Sequence, residues 1–366
     1  MSSSRERRLP TRKSQPAAHG KSGSAAAIRR ALLRWYDRHR RDLPWRTTHD
    51  PYRIWISEVM LQQTRVPVVV PFYETFLRRF PTVEALAAAD EQTLLACWSG
   101  LGYYTRARNL RQAAQVIVRE HGGRFPADLP SALELPGVGA YTAAAVLSIA
   151  YGQPLPVLDG NVARVLSRLF ALEETIRTAS GKRNLYAKAQ ALLCAQRPGD
   201  FNQALMELGA TICLPEQPHC DLCPVRTKCL AHCSDEIARY PLREPKASPV
   251  VRRFTVAAVR DKAGRYLLVQ RPETAPWMRG FWELPMWEEG SSGLSNGNGV
   301  HLDHCLGHFR HSITSNRLEV AVFAARADSA LPLRKQKWAS LDRFLRLPVT
   351  TVTRKALSLL RSISGE

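Results

Sequence analysis

The chain is 366 residues long and 45% hydrophobic, with 52 Lys and Arg against 32 Asp and Glu, a formal charge of +20. That length and apolar content suit two or three globular domains and exclude a disordered scaffold, while the charge calls for a polyanionic partner, nucleic acid ahead of a membrane surface. No apolar run reaches the length of a membrane-spanning helix and the N-terminus has no apolar signal core, so the sequence reads as cytoplasmic, with no membrane partner.

Residues 1–24 mix Ser, Pro, Gly and basic side chains with almost no large apolar ones, the composition of a disordered basic tail. From 25 to 233 apolar residues recur at helical intervals, broken by Pro and Gly, with no strand pattern. In "NVARVLSRLF", Val162, Val165, Leu166, Leu169 and Phe170 share one helical face. In "DPYRIWISEVMLQQT", Asp50 can cap a helix and Pro51 can occupy its first turn. Glu58 then stands between Ile56 and Val59, with Ile54 and Leu61 about one turn away on its own face. Those neighbours predict a raised pKa and a proton to donate, although a solvent-facing glutamate is the ordinary reading of such a position.

"LPGVGAYTAAAVLSIAYG", 135–152, reads as a sharp turn feeding an alanine-rich helix. Pro136 ends whatever helix precedes it, Gly137 and Gly139 allow positive φ and leave peptide N–H groups bare, and the helix start is electropositive. A phosphate fits there, and so does an ordinary packing corner. Asp159, before "GNVARVL", has the place of a helix N-cap.

Eight cysteines without a secretion signal argue for metal or redox chemistry rather than a disulfide framework. Cys213, Cys220, Cys223 and Cys229 form C-x6-C-x2-C-x5-C among Pro215, Pro218 and Pro224. Such a set accepts zinc or an iron–sulfur cluster; zinc modules usually show two CxxC knuckles, and the single one at Cys220 and Cys223 favours the cluster. Cys233 lies outside the spacing, and Cys97, Cys194 and Cys305 read as core or surface residues.

Segment 234–250 mixes charge with Pro and Ser and reads as an interdomain linker. Beyond it, "RRFTVAAVRDKAGRYLLVQRP" is a hairpin signal around "DKAG", "RLEVAVFAAR" is a further strand, and "GSSGLSNGNG" at 290–299 is a flexible loop. Helical spacing returns through Val352, Ala356, Leu359, Leu360 and Ile363. Residues 251–366 are therefore a separate α+β domain.

"LPGVGAYTA", "LDGNV" and the cysteine spacing together resemble the endonuclease III superfamily of DNA base-excision glycosylases. "LPWR", "SEVMLQQT", "GLGYYTRARNL" and "FNQALMELGA" narrow the resemblance to the adenine DNA glycosylase, or MutY, family, strongly over 28–230 and weakly beyond. It implies a multidomain fold: an all-α helix-hairpin-helix core of two subdomains over 25–233, with a [4Fe–4S] loop at 213–229, and a C-terminal α+β Nudix-like domain. The implied activity is hydrolysis of the N-glycosidic bond of adenine mispaired with 8-oxoguanine or guanine in double-stranded DNA. The implied enzyme is a monomer, associated with the nucleoid of a bacterial cytoplasm.

Breaking that bond needs a proton for the departing base and a group that tolerates positive charge on the sugar. By the resemblance, Glu58 protonates adenine N7, Asp159 stabilises or transiently attacks the cationic sugar, and Asn161 helps hold the site. Tyr141 stands where lyase members carry a Schiff-base lysine, so the strand is left uncut at an abasic site. Trp45, Arg46, Leu61 and Gln203 would line the adenine pocket, although Trp45 also suits a core and Arg46 a surface. Gln63 and Tyr103 would wedge into the duplex as the base is extruded, Thr64 would touch the opposite base, and Gly137 and Gly139 would hold a phosphate. Cys213, Cys220, Cys223 and Cys229 would bind the [4Fe–4S] cluster. Arginines in "TRARNLRQ" and "RVLSRLF" would add phosphate contacts. The C-terminal domain lacks the Glu-rich helix that binds Mg²⁺ in Nudix hydrolases, so it would read the lesion without hydrolase activity. Its reading loop, H-x-F-S-H in the family, is "FRHSITSN" here, keeping His311 and a hydroxyl at Thr314 but losing the last histidine. A glycosylase/lyase for oxidised pyrimidines and a non-catalytic redox sensor are the rival readings.

Overall fold

The computed structural model describes residues 25–242, 248–275, 277–290, 299–313, 315–327, 335–344 and 347–364. The basic tail, most of the 290–299 loop and Thr314 lie outside the described residues. The chain divides into two compact units, residues up to Arg40 with Pro156–Arg243, and Arg41–Leu155 with Glu244–Glu366. No helix among the described residues is long and apolar enough to cross a membrane.

Helix α1 (Ala25–His39) opens the first unit. The second unit takes α2 (Pro51–Leu61), α3 (Val66–Arg79), α4 (Val83–Ala87), α5 (Glu91–Trp98) and α6 (Thr105–Glu120), then α7 (Leu129–Glu134) and α8 (Ala140–Ala150). The chain returns to the first unit for α9 (Gly160–Leu169), α10 (Ala179–Leu192), α11 (Pro198–Thr211) and α12 (Leu230–Cys233). Side-chain caps set several starts: Asp50 accepts the Tyr52 N–H at 2.9 Å, Asp90 that of Thr93 at 2.9 Å and Asp128 that of Ser131 at 2.9 Å. Each is worth about 1 kcal/mol over an alanine there. In the first unit α1 packs on α10 and α11, and α9 on α11 and α12. In the second, α2 packs on α3, α6 and α8 around Trp55, Phe76 and Trp98.

The rest of the second unit is α+β. Strands β1 (Val250–Val259), β2 (Tyr266–Gln270), β3 (Trp282–Glu283), β4 (Met286–Glu288), β5 (Val300–Ile313), β6 (Asn316–Ala327) and β7 (Gln336–Ala339) precede α13 (Leu341–Phe344) and α14 (Thr351–Ser364). They form two sheets, ordered β4-β1-β6-β5 and β3-β2-β7. The sequence expectation of a hairpin at "DKAG" is corrected: β1 and β2 share only one bridge, Arg260 with Tyr266, and lie in different sheets. The last six residues of β1 are buried; it pairs along its length with β6 in parallel and over Phe254–Val256 with β4 antiparallel, while β2 takes β3 and β7 as its partners.

The expected linker is also shorter at its start. Tyr240 is 2% exposed, accepts the Arg168 Nε at its carbonyl (3.0 Å) and donates its hydroxyl to Glu173 (2.7 Å), so this stretch packs on the first unit.

Candidate active site

Glu58 lies on α2 at 4% exposure, against the solvent-facing alternative. Tyr141, in the first turn of α8, donates its hydroxyl to Glu58 Oε2 at 2.5 Å. Gln62, just past α2, adds a second tie by donating to Thr142 Oγ1 at 3.2 Å. The turn before α8 makes this approach possible. Gly137 has φ +75°, and a Cβ on it would come within 2.6 Å of Asn109 Cβ, so no other residue fits. Gly139 departs from expectation: its φ is −92°, in extended backbone open to any residue. A Cβ there would meet nothing within 4 Å, so neither backbone nor packing requires glycine at this position.

In the first unit Asp159 caps α9, Oδ1 accepting the Val162 N–H at 2.7 Å while Oδ2 accepts Asn161 Nδ2 at 3.0 Å. Asn161 Oδ1 in turn accepts Arg164 Nη2 at 2.9 Å, and Arg164 also donates to the carbonyls of Cys213 and Gly209, each at 2.8 Å. A Cβ on Gly209 would strike Asn161 Cβ at 2.7 Å, so "MELGA" on α11 carries glycine at its fourth position to admit the asparagine. Burial raises the Asp159 pKa above the ordinary aspartate value, opposed by the Val162 and Asn161 hydrogen bonds and the Arg164 charge. Glu58 and Asp159 belong to different units, each fixed by its own partners.

The expected pocket residues divide likewise. Trp45 is buried edge-on to Tyr73, ring centroids 5.3 Å apart, Arg46 donates to the Arg41 carbonyl at 3.0 Å, and Leu61 is half-buried at the end of α2, all in the second unit. Gln203 is half-buried on α11 in the first. Gln63 and Tyr103 are exposed, whereas Thr64 is half-buried and its hydroxyl donates to the Gln62 carbonyl at 3.3 Å. His311 is a residue of strand β5, opposite Leu318, where a loop was expected; burial and the Lys355 charge push its pKa down.

The arginines expected on phosphates are committed to the protein. Arg106 and Arg168 are buried; Arg108 pairs with Glu91 at 2.7 Å and donates to the Arg279 carbonyl; Arg111 donates to the Ala89 carbonyl at 2.6 Å. A planar fork satisfies several carbonyls where elements end together, and sequence spacing does not reveal that convergence.

Cys213, Cys220, Cys223 and Cys229 line one cavity with Arg168 and Ile212, and none is disulfide-bonded. Burial pushes the Cys223 thiol up to about 12 and the Cys229 thiol up to about 11. Four thiols around one space suit a group that supplies positive charge and binds them as thiolates. Among the described residues no three His, Cys, Asp or Glu close to the geometry of a single metal ion. Arg168 braces the loop, Nη1 reaching Cys213 Sγ (3.3 Å) and the Leu214 carbonyl (2.6 Å) and Nη2 the Pro215 carbonyl (2.8 Å). Arg168→Met removes these bonds and leaves the buried Tyr240 carbonyl, which accepts Nε at 3.0 Å, unpaired, and is expected to destabilise the protein by about 3 kcal/mol, read from urea unfolding.

Comparison with known proteins adds to this geometry. Residues 56–191 match the HhH-GPD superfamily base excision DNA repair protein family, and 255–359 match the NUDIX domain. A solved thermostable thymine-DNA glycosylase is 31% identical with a TM-score of 0.54, covering 57% of this chain and 97% of its own. The chain is 34% identical to the human adenine DNA glycosylase, over 90% of this chain and 73% of that protein. It is 33% identical to that of Buchnera aphidicola subsp. Acyrthosiphon pisum, over 70% and 71%. With this identity along most of both relatives, on a helix-hairpin-helix core joined to a Nudix-like domain, the chain belongs to the adenine DNA glycosylase family of DNA-binding base-excision repair enzymes.

Proposed function

We propose that this enzyme hydrolyses the N-glycosidic bond of adenine mispaired with 8-oxoguanine or guanine, as a monomeric, monofunctional glycosylase that leaves an abasic site in duplex DNA. The observation that carries the reading is Glu58, a buried carboxyl group on α2 with the Tyr141 hydroxyl on Oε2 at 2.5 Å. Expelling adenine requires a proton on the base, and an acid shielded from water is suited to deliver it. The Tyr141 hydroxyl then stabilises the carboxylate that remains. Asp159 opposes the charge developing on the sugar, its two oxygens oriented by Val162 and Asn161. A phenol cannot form a Schiff base, so Tyr141 supports base removal without strand cleavage.

Gly137 and Gly139 bring peptide N–H groups of the turn to a phosphate, and Trp45, Arg46, Leu61 and Gln203 enclose the extruded adenine. Thr64 contacts the opposite base. In the C-terminal domain, His311 and Thr314 check that base for the 8-oxo lesion. Cys213, Cys220, Cys223 and Cys229 hold a [4Fe–4S] cluster, which would cross-link the loop and takes no part in base removal. Four thiols about one cavity and the single CxxC knuckle at Cys220 and Cys223 support a cluster over zinc.

The test is single-turnover excision on duplexes with adenine opposite 8-oxoguanine and opposite guanine, with the visible absorption of the same sample recorded. Adenine release, an alkali-labile but intact strand, and a brown iron–sulfur band are expected. No release from any mispair, or a borohydride-trapped protein–DNA adduct, would overturn the reading.

A further inference from the structure

Arg106, the second residue of α6, is 9% exposed and gathers more acceptors than a surface arginine could. Its Nη1 donates to the carbonyls of Val59 (2.8 Å), Met60 (2.9 Å) and Gln62 (2.6 Å) at the end of α2. Nη2 donates to the carbonyls of Leu101 (3.2 Å) and Gly102 (3.1 Å) and to Thr64 Oγ1 (3.3 Å), and Nε to the Tyr103 carbonyl (3.4 Å). One guanidinium thus joins two turns from separate parts of the chain.

Each turn carries a residue in the left-handed region without being glycine: Gln63 at φ +56° and Tyr103 at φ +48°. A Cβ makes that conformation unfavourable, and it persists only where surrounding bonds enforce it. Both side chains are exposed, Tyr103 at 48%, so neither conformation is set by core packing. The guanidinium also lies 5.5 Å from the Tyr103 ring centroid and 5.4 Å from that of Trp98, backing the exposed ring with a buried one.

We propose that Arg106 is a positioning residue for base extrusion: it holds Gln63 and Tyr103 at a fixed spacing and orientation for entry into the duplex, without touching base or phosphate. The inference rests on the proposed function, and on the family resemblance for taking these two side chains as the ones that fill the gap. It differs from a packing role in requiring that the effect of Arg106 pass through them.

The test uses Arg106→Lys, whose compact ammonium has three donors and cannot span both turns. It is measured on the full chain at a temperature where circular dichroism shows it folded. With 2-aminopurine beside the target adenine reporting extrusion, the expected result is loss of the fluorescence rise and about 100-fold slower single-turnover excision. In a Gln63→Ala, Tyr103→Ala background, adding Arg106→Lys should cost no more than about two-fold further. Wild-type extrusion by Arg106→Lys, or the same loss in both backgrounds, would overturn the proposal. A Gln63→Ala, Tyr103→Ala enzyme that extrudes and excises normally would instead count against the gap-filling reading itself. Amide exchange on the unaltered protein needs no variant: slow exchange of the Thr64 and Leu101 N–H groups, accepted within the two turns by the Leu61 and Trp98 carbonyls, is expected without DNA, and unprotected exchange there would refute the clamp.

Discussion

Glu58→Gln is expected to slow single-turnover adenine release by about 1,000-fold, within the range general acid catalysis supplies, while binding to a mispaired duplex stays intact. Glutamine has nearly the same shape and its amide oxygen still accepts the Tyr141 hydroxyl that Oε2 accepts now, so the α2–α8 contact survives. What disappears is the transferable proton. Gel-shift affinity and excision on the same preparation separate the two effects. A variant releasing adenine at wild-type rates would remove Glu58 from the chemistry, and one that lost binding as well would point to a structural role. A DNA-binding redox sensor, by contrast, would be indifferent to this substitution.

Asp159→Asn should move activity and stability in opposite directions. Losing the fixed negative charge near the sugar is expected to slow excision by about 100- to 1,000-fold, the size typical of a lost electrostatic stabiliser. Asparagine can still cap α9 through its side-chain oxygen, in place of the carboxylate that accepts the Val162 N–H now. Because burial raises the Asp159 pKa, the folded protein holds this proton more tightly than the unfolded chain. The stabilisation from that proton is complete below the ordinary aspartate pKa of 3.8 and is lost as pH rises through the higher folded value. At neutral pH the native state therefore carries a penalty that asparagine lacks. The variant should melt above the wild type near pH 7, with the difference shrinking as the pH falls toward 4. Thermal melts across that range, beside excision rates, check both halves. A variant less stable than wild type at pH 7 would show that the hydrogen bonds to the carboxylate outweigh its burial.

The local grammar of the chain was readable in advance. Asp50 and Asp159 stand where helix caps stand, and both accept the N–H groups that caps accept. Gly137 adopts the positive φ its turn needs. Each of these depends on neighbours within about one helical turn, which sequence order alone supplies. The apolar periodicity through Val162, Val165, Leu166 and Leu169 became the buried face of α9 for the same reason.

Partnerships between distant segments were the part that spacing concealed. Tyr141 meets Glu58 across 83 positions of chain, and nothing near either residue announces the other. The arginines of "TRARNLRQ" and "RVLSRLF" carry the composition of a phosphate-binding face, yet Arg106 and Arg168 are buried among carbonyls brought together by α2, α6 and the cysteine loop. Strands β1 and β2 flank a hairpin-like turn and still part into separate sheets, because β1 pairs along its length with the distant β6 while β2 pairs with β3 and β7. A charge or a strand edge takes whichever partner the packing leaves within reach, and that choice exists only once the remote elements have met.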